Sequence, residues 1–426
     1  MKEEINKSKK SIIRSGVFLL LSTKVGDAAN FVFQVIMARQ LTTEDFGTMN
    51  AALSILVIVG ILSTTISTII TKYVAQFKAQ EEYGKITHFF YFLLKKITIF
   101  TSIGFIFFLL FSGRLSNFLN IKSRWPIIIV GFLLAVSFIL PLNYGTLQGL
   151  QLFGYLGFNS SLSGVLKLVI GILMVWIFRF GVNGALASGF FATCIVFFSS
   201  YLCLKPSLLK VQETNINYEN ITSDILKYSL PVLVAYIPFS IMTTSDLLLV
   251  KHFFNPNEAG YYATAVVLGR IVLFLSGTFV MALFPMVVEQ HVQEGNTFSL
   301  LLKGLGCGIL FCGTSALIYW FFSNIIIRLV LGVENIHVAS LLKIFGVAMI
   351  PYALVNIIMN YNLAKHRFNF VYPMILCAIL QIVLIYYRFH EKTTHVIYVM
   401  GINGSLLLVF VLLFTYLEVR NEELGE

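Results

Sequence analysis

Lys24, Asp27, Lys167 and Arg270 are charged side chains deep inside long apolar stretches of this chain, and Asp246 and Lys343 lie in such stretches nearer an end, six in all. A charge at the middle of a bilayer costs about 2.5–3.5 kcal/mol on insertion scales, so each should face protein or water and not lipid. Four of the six are cations and two are anions, which makes for a net positive interior. A buried guanidinium or ammonium is suited to anionic groups, and the planar guanidinium to phosphate oxygens in particular. A buried carboxylate is suited to a proton or a sodium ion, which makes Asp27 and Asp246 the candidate ion-coupling residues.

The clearest polar face belongs to the first stretch. At about 100° per residue, Lys24, Asp27, Asn30 and Gln34 fall within roughly a third of one helix circumference. Two readings stand side by side. Lys24 and Asp27 are spaced i,i+3 and can pair with each other, or the face lines a hydrated lumen. Arg270 lies about ten residues into its stretch, with no acid one helical turn away. It either pairs with Asp246 of the preceding stretch or is presented to an anionic substrate. Lys167 poses the same choice, whereas Lys343 is near enough to an end to reach the interface by snorkelling. Lys95 and Lys96 read as interfacial flanks, and the hydroxyls of Ser63, Thr64, Thr65, Ser67, Thr68 and Thr71 as helix–helix contacts.

Signatures of catalysis and of metal or cofactor binding are missing from the sequence. It has no HExxH, no phosphate loop of the GxxxxGK type and no Asp-x-Asp pair. The five cysteines (Cys194, Cys203, Cys307, Cys312, Cys377) lie in or beside apolar stretches without ligand spacing. The expectation is a non-enzyme with no catalytic residue, cofactor or metal.

The elements that position these residues follow from composition. Hydrophobic residues make up 58% of the chain and charged residues 12%, against roughly 25% charged in soluble domains. Runs long enough to cross a bilayer fall near 16–38, 46–70, 89–112, 126–148, 155–178 and 184–204. A second set falls near 228–250, 261–285, 304–327, 338–362, 369–388 and 395–417. In lipid such runs can satisfy their backbone only as helices. The expected fold is an all-α integral membrane protein of about twelve transmembrane helices in two parallel six-helix lobes, at 1–204 and 228–426. A hydrophilic stretch at 205–227 joins them. Inner segments carry more Lys and Arg than outer ones, which puts both termini in the cytoplasm. The net charge of +10 is therefore a topology signal and not a nucleic-acid footprint. The opening MKEEINKSKK reads as a basic flank, and the run after it is too long and polar for a cleaved signal peptide.

The two halves also echo each other. Residues 38–53 read ARQLTTEDFGTMNAAL and residues 251–266 read KHFFNPNEAGYYATAV, with Gly47 and Gly260 half the chain length apart. Asn143 and Leu150 after Pro141, and Asn356 and Leu363 after Pro351, repeat at the same offset. An even number of helices per half relates the copies by an axis along the membrane normal. The seventh span, with Pro231 and Pro238, is the candidate bending helix.

The basic flank, the polar first span with its ARQLTTEDFG exit, the NPNEAGYY entry and the LQGLQLFG turn resemble the polysaccharide (O-antigen, Wzx-type) flippases. These belong to the multidrug/oligosaccharidyl-lipid/polysaccharide exporter superfamily. The resemblance implies the two-lobed fold of multidrug exporters in that superfamily and alternating access through a cationic central cavity. The implied cargo is a polyprenyl-pyrophosphate-linked oligosaccharide, moved between leaflets of the cytoplasmic membrane for surface polysaccharide assembly. Lys24, Lys167, Arg270 and Lys343 would be its cavity cations, with Asn30 and Gln34 as polar lining. Partners would be that substrate, membrane lipids, an H+ or Na+ counter-ion and other polysaccharide-assembly proteins. Carrying two negative charges outward from an inside-negative cell gains roughly 2.3 kcal/mol per charge per 100 mV. Two other readings stand beside this one: a cation-coupled drug exporter of the same fold, which calls for an acid-dominated cavity, and a membrane glycan polymerase or ligase, which calls for a longer outer loop.

Overall fold

Apolar runs with short polar breaks give a chain built of helices. The computed structural model describes residues 2–208, 218–277, 287, 297–365 and 367–424. Within them run α1 (Lys2–Gln40), α2 (Thr43–Ala79), α3 (Tyr83–Phe118), α4 (Trp125–Gly149), α5 (Phe153–Ile172) and α6 (Gly181–Leu208). Then come α7 (Tyr218–Phe253), α8 (Pro256–Gly269), α9 (Thr297–Leu331), α10 (Ile336–Ala364), α11 (Val371–Tyr387) and α12 (Thr393–Leu424). A π-helical turn, Leu173–Ile177, ends α5, and after a turn at Arg270 the chain of α8 resumes helix over 271–277. Ten of these helices are long and apolar enough to cross a membrane, and α11 is a shorter apolar helix. The protein is thus a multi-pass membrane protein. Lys95 and Lys96 leave α3 unbroken, and α7 runs through Pro231 and Pro238. Of the hydrophilic join at 205–227, residues 209–217 lie outside the described ones, as do 278–286 of the eighth run.

The chain divides into two compact units. One comprises 1–41 and 55–230, and the other 42–54 and 231–426. Their internal packing follows one scheme. In the first, α3 packs on α4, α4 on α6, α5 on α6 and α1 along α5; in the second, α9 packs on α10, α10 on α12 and α11 on α12. The scheme extends to side chains. Thr71 on α2 bonds the Gly145 carbonyl of α4, and α8 packs on α10 in the same way. Asn143, buried on α4, donates to Ser200 Oγ on α6 at 2.8 Å. Asn362 on α10 donates to Thr415 Oγ1 on α12 at 2.7 Å.

The first twelve or so residues of α2 group with the second unit, and the echoed motif is the reason. Each copy starts with a cap: Thr42 Oγ1 accepts the Asp45 N–H at 3.1 Å, and Asn255 Oδ1 accepts the Glu258 N–H at 2.9 Å. Each then presents bare backbone. A Cβ on Gly47 would stand 2.9 Å from Gly260 N, and a Cβ on Gly260 would collide with the Thr43 carbonyl. The two copies of the motif therefore touch each other, main chain to main chain.

Candidate functional site

A buried polar cluster lies within the second unit. Asp246 on α7 is fully buried. Its Oδ2 accepts the Tyr262 hydroxyl of α8 at 3.0 Å, and its Oδ1 accepts Arg270 Nη2 at 3.0 Å. Arg270 stands at the turn that ends α8. Helix breaks leave carbonyls to be satisfied by other donors, and the Leu268 carbonyl takes the Tyr319 hydroxyl of α9 at 2.8 Å. Phe345 of α10 fills the space beside Gly269. Together these hold Arg270 with its head toward Asp246 and 15% of its side chain exposed.

Around this pair is a shell of neutral polar groups. The Tyr352 hydroxyl on α10 lies 2.8 Å from Gln381 Oε1 on α11 and 3.0 Å from the Met400 carbonyl on α12. Gln381 Nε2 donates to the Met242 carbonyl on α7 at 2.8 Å, and Asn403 Nδ2 to the Cys377 carbonyl at 3.0 Å. Five helices are thus tied through one polar knot. Its outer members carry no charge, although the sequence carries a signal for them. Gln381 and Asn403 are single amides within apolar runs, and a buried amide needs partners.

The first unit places its predicted residues differently. Along α1, Gly26, Ala29, Phe33 and Met37 are buried. Ser22 and Gly26 meet Gly157, Ser161 and Gly164 of α5 so closely that a Cβ on Gly164 would strike the Gly26 carbonyl. Ser161 Oγ donates to the Ser22 carbonyl at 2.6 Å. Small residues of this kind let apolar helices approach without a hydrophobic drive. Lys24 and Asp27 point away from that seam, pair at 3.2 Å and are 59% and 67% exposed. Asn30 donates to the Gly26 carbonyl at 3.1 Å, and the buried Gln34 Oε1 has no hydrogen-bond partner. Lys167 reaches from α5 to lay its ammonium 4.6 Å from the centre of the Phe33 ring, a cation–π contact between α5 and α1.

So the structure joins Arg270 to Asp246 and Lys24 to Asp27, and sets Lys167 on an aromatic face. Lys343, half-buried near the start of α10, makes no ion pair among the described residues. The same residues contain no group of three or more His, Cys, Asp or Glu placed to hold a metal ion.

Comparisons with known proteins agree with this architecture. A family model described as "Polysaccharide biosynthesis protein" matches residues 12–291. An uncharacterized membrane protein of Methanocaldococcus jannaschii is 23% identical over 308 residues, covering 69% of this chain and 71% of its own length. Among solved structures, an inward-facing multidrug resistance MATE family transporter of the MOP superfamily aligns with a TM-score of 0.78 at 12% identity, covering 93% of this chain and 94% of its own. The lipid II flippase MurJ in an inward closed conformation aligns with a TM-score of 0.73 at 15% identity, covering 95% and 87%. At such identities the likeness is one of fold.

Proposed function

The chain belongs to the polysaccharide biosynthesis protein family, and we propose that it flips a polyprenyl-pyrophosphate-linked oligosaccharide from the inner to the outer leaflet of the cytoplasmic membrane. Transport would proceed by alternating access, with both termini in the cytoplasm, and would feed cell-surface polysaccharide assembly. The observation that carries this reading is the Arg270 guanidinium. It is held inside an apolar bundle by a fully buried carboxylate, yet it keeps part of its own surface free. A cation so placed is pre-oriented for a lipid pyrophosphate, whose charge must be offset wherever it leaves water.

Lys24, Lys167 and Lys343 would add positive charge along the route, with Asn30 and Gln34 as neutral polar lining. Asp27 and Asp246 are the candidate sites for a coupled proton or sodium ion. Cations outnumber acids in this set, which favours an anionic cargo over the cationic drugs of exporters with the same fold.

The test is Arg270→Ala in cells. The variant should reach the membrane at normal level while lipid-linked glycan accumulates on the inner leaflet and surface glycan is lost. Normal surface glycan at normal protein level would overturn the assignment of Arg270 to substrate binding.

A further inference from the structure

Asp246 and Arg270 are unequal partners. The carboxylate has no exposed surface, whereas the guanidinium is partly exposed, and its Nε is buried without a hydrogen-bond partner. Arg270 is thus the member of the pair with surface that an incoming group can reach, while its buried Nε lacks a partner in this arrangement. The geometry points to Arg270 as a shared cation. In the unloaded protein it neutralises Asp246; in the loaded protein it turns to the phosphate oxygens of the cargo, and Asp246 takes one monovalent cation, H+ or Na+, from solution.

Charge balance links the two events. With Arg270 on Asp246 the knot holds one positive and one negative group. Once a phosphate engages the guanidinium, the carboxylate keeps only neutral donors, the Tyr262 hydroxyl and the Leu247 backbone N–H. Among the described residues, the other elements packed there supply neutral groups. On α7 itself the neighbour is Ser245; α10 offers the Tyr352 hydroxyl, α11 offers Gln381 and Cys377, and α12 offers Met400 and Asn403. Lys251 lies more than a helical turn further along α7. An isolated carboxylate in such surroundings is strongly unfavourable unless neutralised. Among the shell's acceptors, the buried Asn403 Oδ1 has no hydrogen-bond partner. By linkage, cargo and cation then strengthen each other's binding by the same factor. The proposal rests on the flippase reading and names how its ion coupling would arise.

The experiment uses the purified full-length protein in lipid nanodiscs, with geranylgeranyl pyrophosphate as probe. Binding is measured by titration calorimetry, and proton uptake with an indicator dye in weak buffer containing choline as the other cation. A second arm, at fixed pH, compares sodium with choline chloride. Wild type should bind the probe with uptake of about one cation per site, as protons in the first arm or as a sodium-dependent affinity in the second. Asp246→Asn should still bind, with no proton uptake beyond that of the probe itself and no sodium dependence. Arg270→Gln should bind about tenfold or more weakly. Wild-type binding that needs Arg270 but takes up neither ion would overturn the shared cation while leaving the flippase reading in place. Undiminished uptake in Asp246→Asn would overturn it equally. A wild type that fails to bind the pyrophosphate at all would sink both.

Discussion

A buried ion pair is weak evidence for stability, because desolvation offsets most of the attraction, yet breaking one is costly. That asymmetry gives Asp246 and Arg270 a signature separate from transport. Asp246→Leu alone strands the Arg270 guanidinium beside Tyr262 and should lower stability by about 3–5 kcal/mol. Asp246→Leu combined with Arg270→Met removes both charges and should recover most of that loss, as read by thermal unfolding in detergent. If Arg270 binds the cargo as proposed, the double variant should still fail to restore surface glycan. A double variant as unstable as the single one would mean that packing, and not unpaired charge, dominates at this site. Lys167 makes a contrasting case. Its ammonium rests on Phe33, a residue that is fully buried. Here the contact is with an aromatic face, a cation–π interaction and not an ion pair.

Between helices, closeness is set by residues that have little or no side chain. Where α2 and α8 begin, Gly47 and Gly260 let backbone meet backbone, so any Cβ at 260 must displace the Thr43 carbonyl. Gly260→Ala should therefore destabilise the protein by about 1–3 kcal/mol through overpacking. Gly306→Ala is the control. It lies within α9 with open space where the added methyl would go, and it should be neutral or stabilising by up to about 1 kcal/mol through helix propensity. Equal melting temperatures for the two variants would contradict the contact. The echo that leads to this pair is readable in the chain as a spacing of caps, acids and glycines, and so are the helical runs and the charges set within them. What spacing does not reveal is partnership. Periodicity assigns Gln381 and Asn403 to a helix but does not say that both share a knot with Tyr352, since that depends on how three helices cross. Nor does it tell that Asp45 and Glu258, alike in the motif, diverge in use. Glu258 reaches His337 on α10 at 3.0 Å, and the contact depends on a helix that starts far along the chain.

For the molecule as a whole, duplication is written more plainly in packing than in sequence. Few residues match between the halves, yet α4 with α6 and α10 with α12 repeat one arrangement, because apolar helices of similar length and small-residue content have few close-packed solutions. Each unit has its own buried interior, and the division falls between Leu230 and Pro231 except for residues 42–54. That exception has a consequence for cutting the chain. A fragment starting at residue 213 carries α7 to α12 but lacks the α2 turns that cover Ala259 and Gly260, whereas a fragment ending at 212 contains α1 to α6 entire. Expressed together with different affinity tags, the two fragments should co-purify from membranes and restore surface glycan. Expressed alone, the C-terminal fragment should be degraded faster than when its partner is present. A C-terminal fragment equally long-lived in both settings would mean that residues 42–54 contribute nothing to its stability. Co-purification without surface glycan would instead place the need for an unbroken chain in the transport cycle and not in the folding of the units.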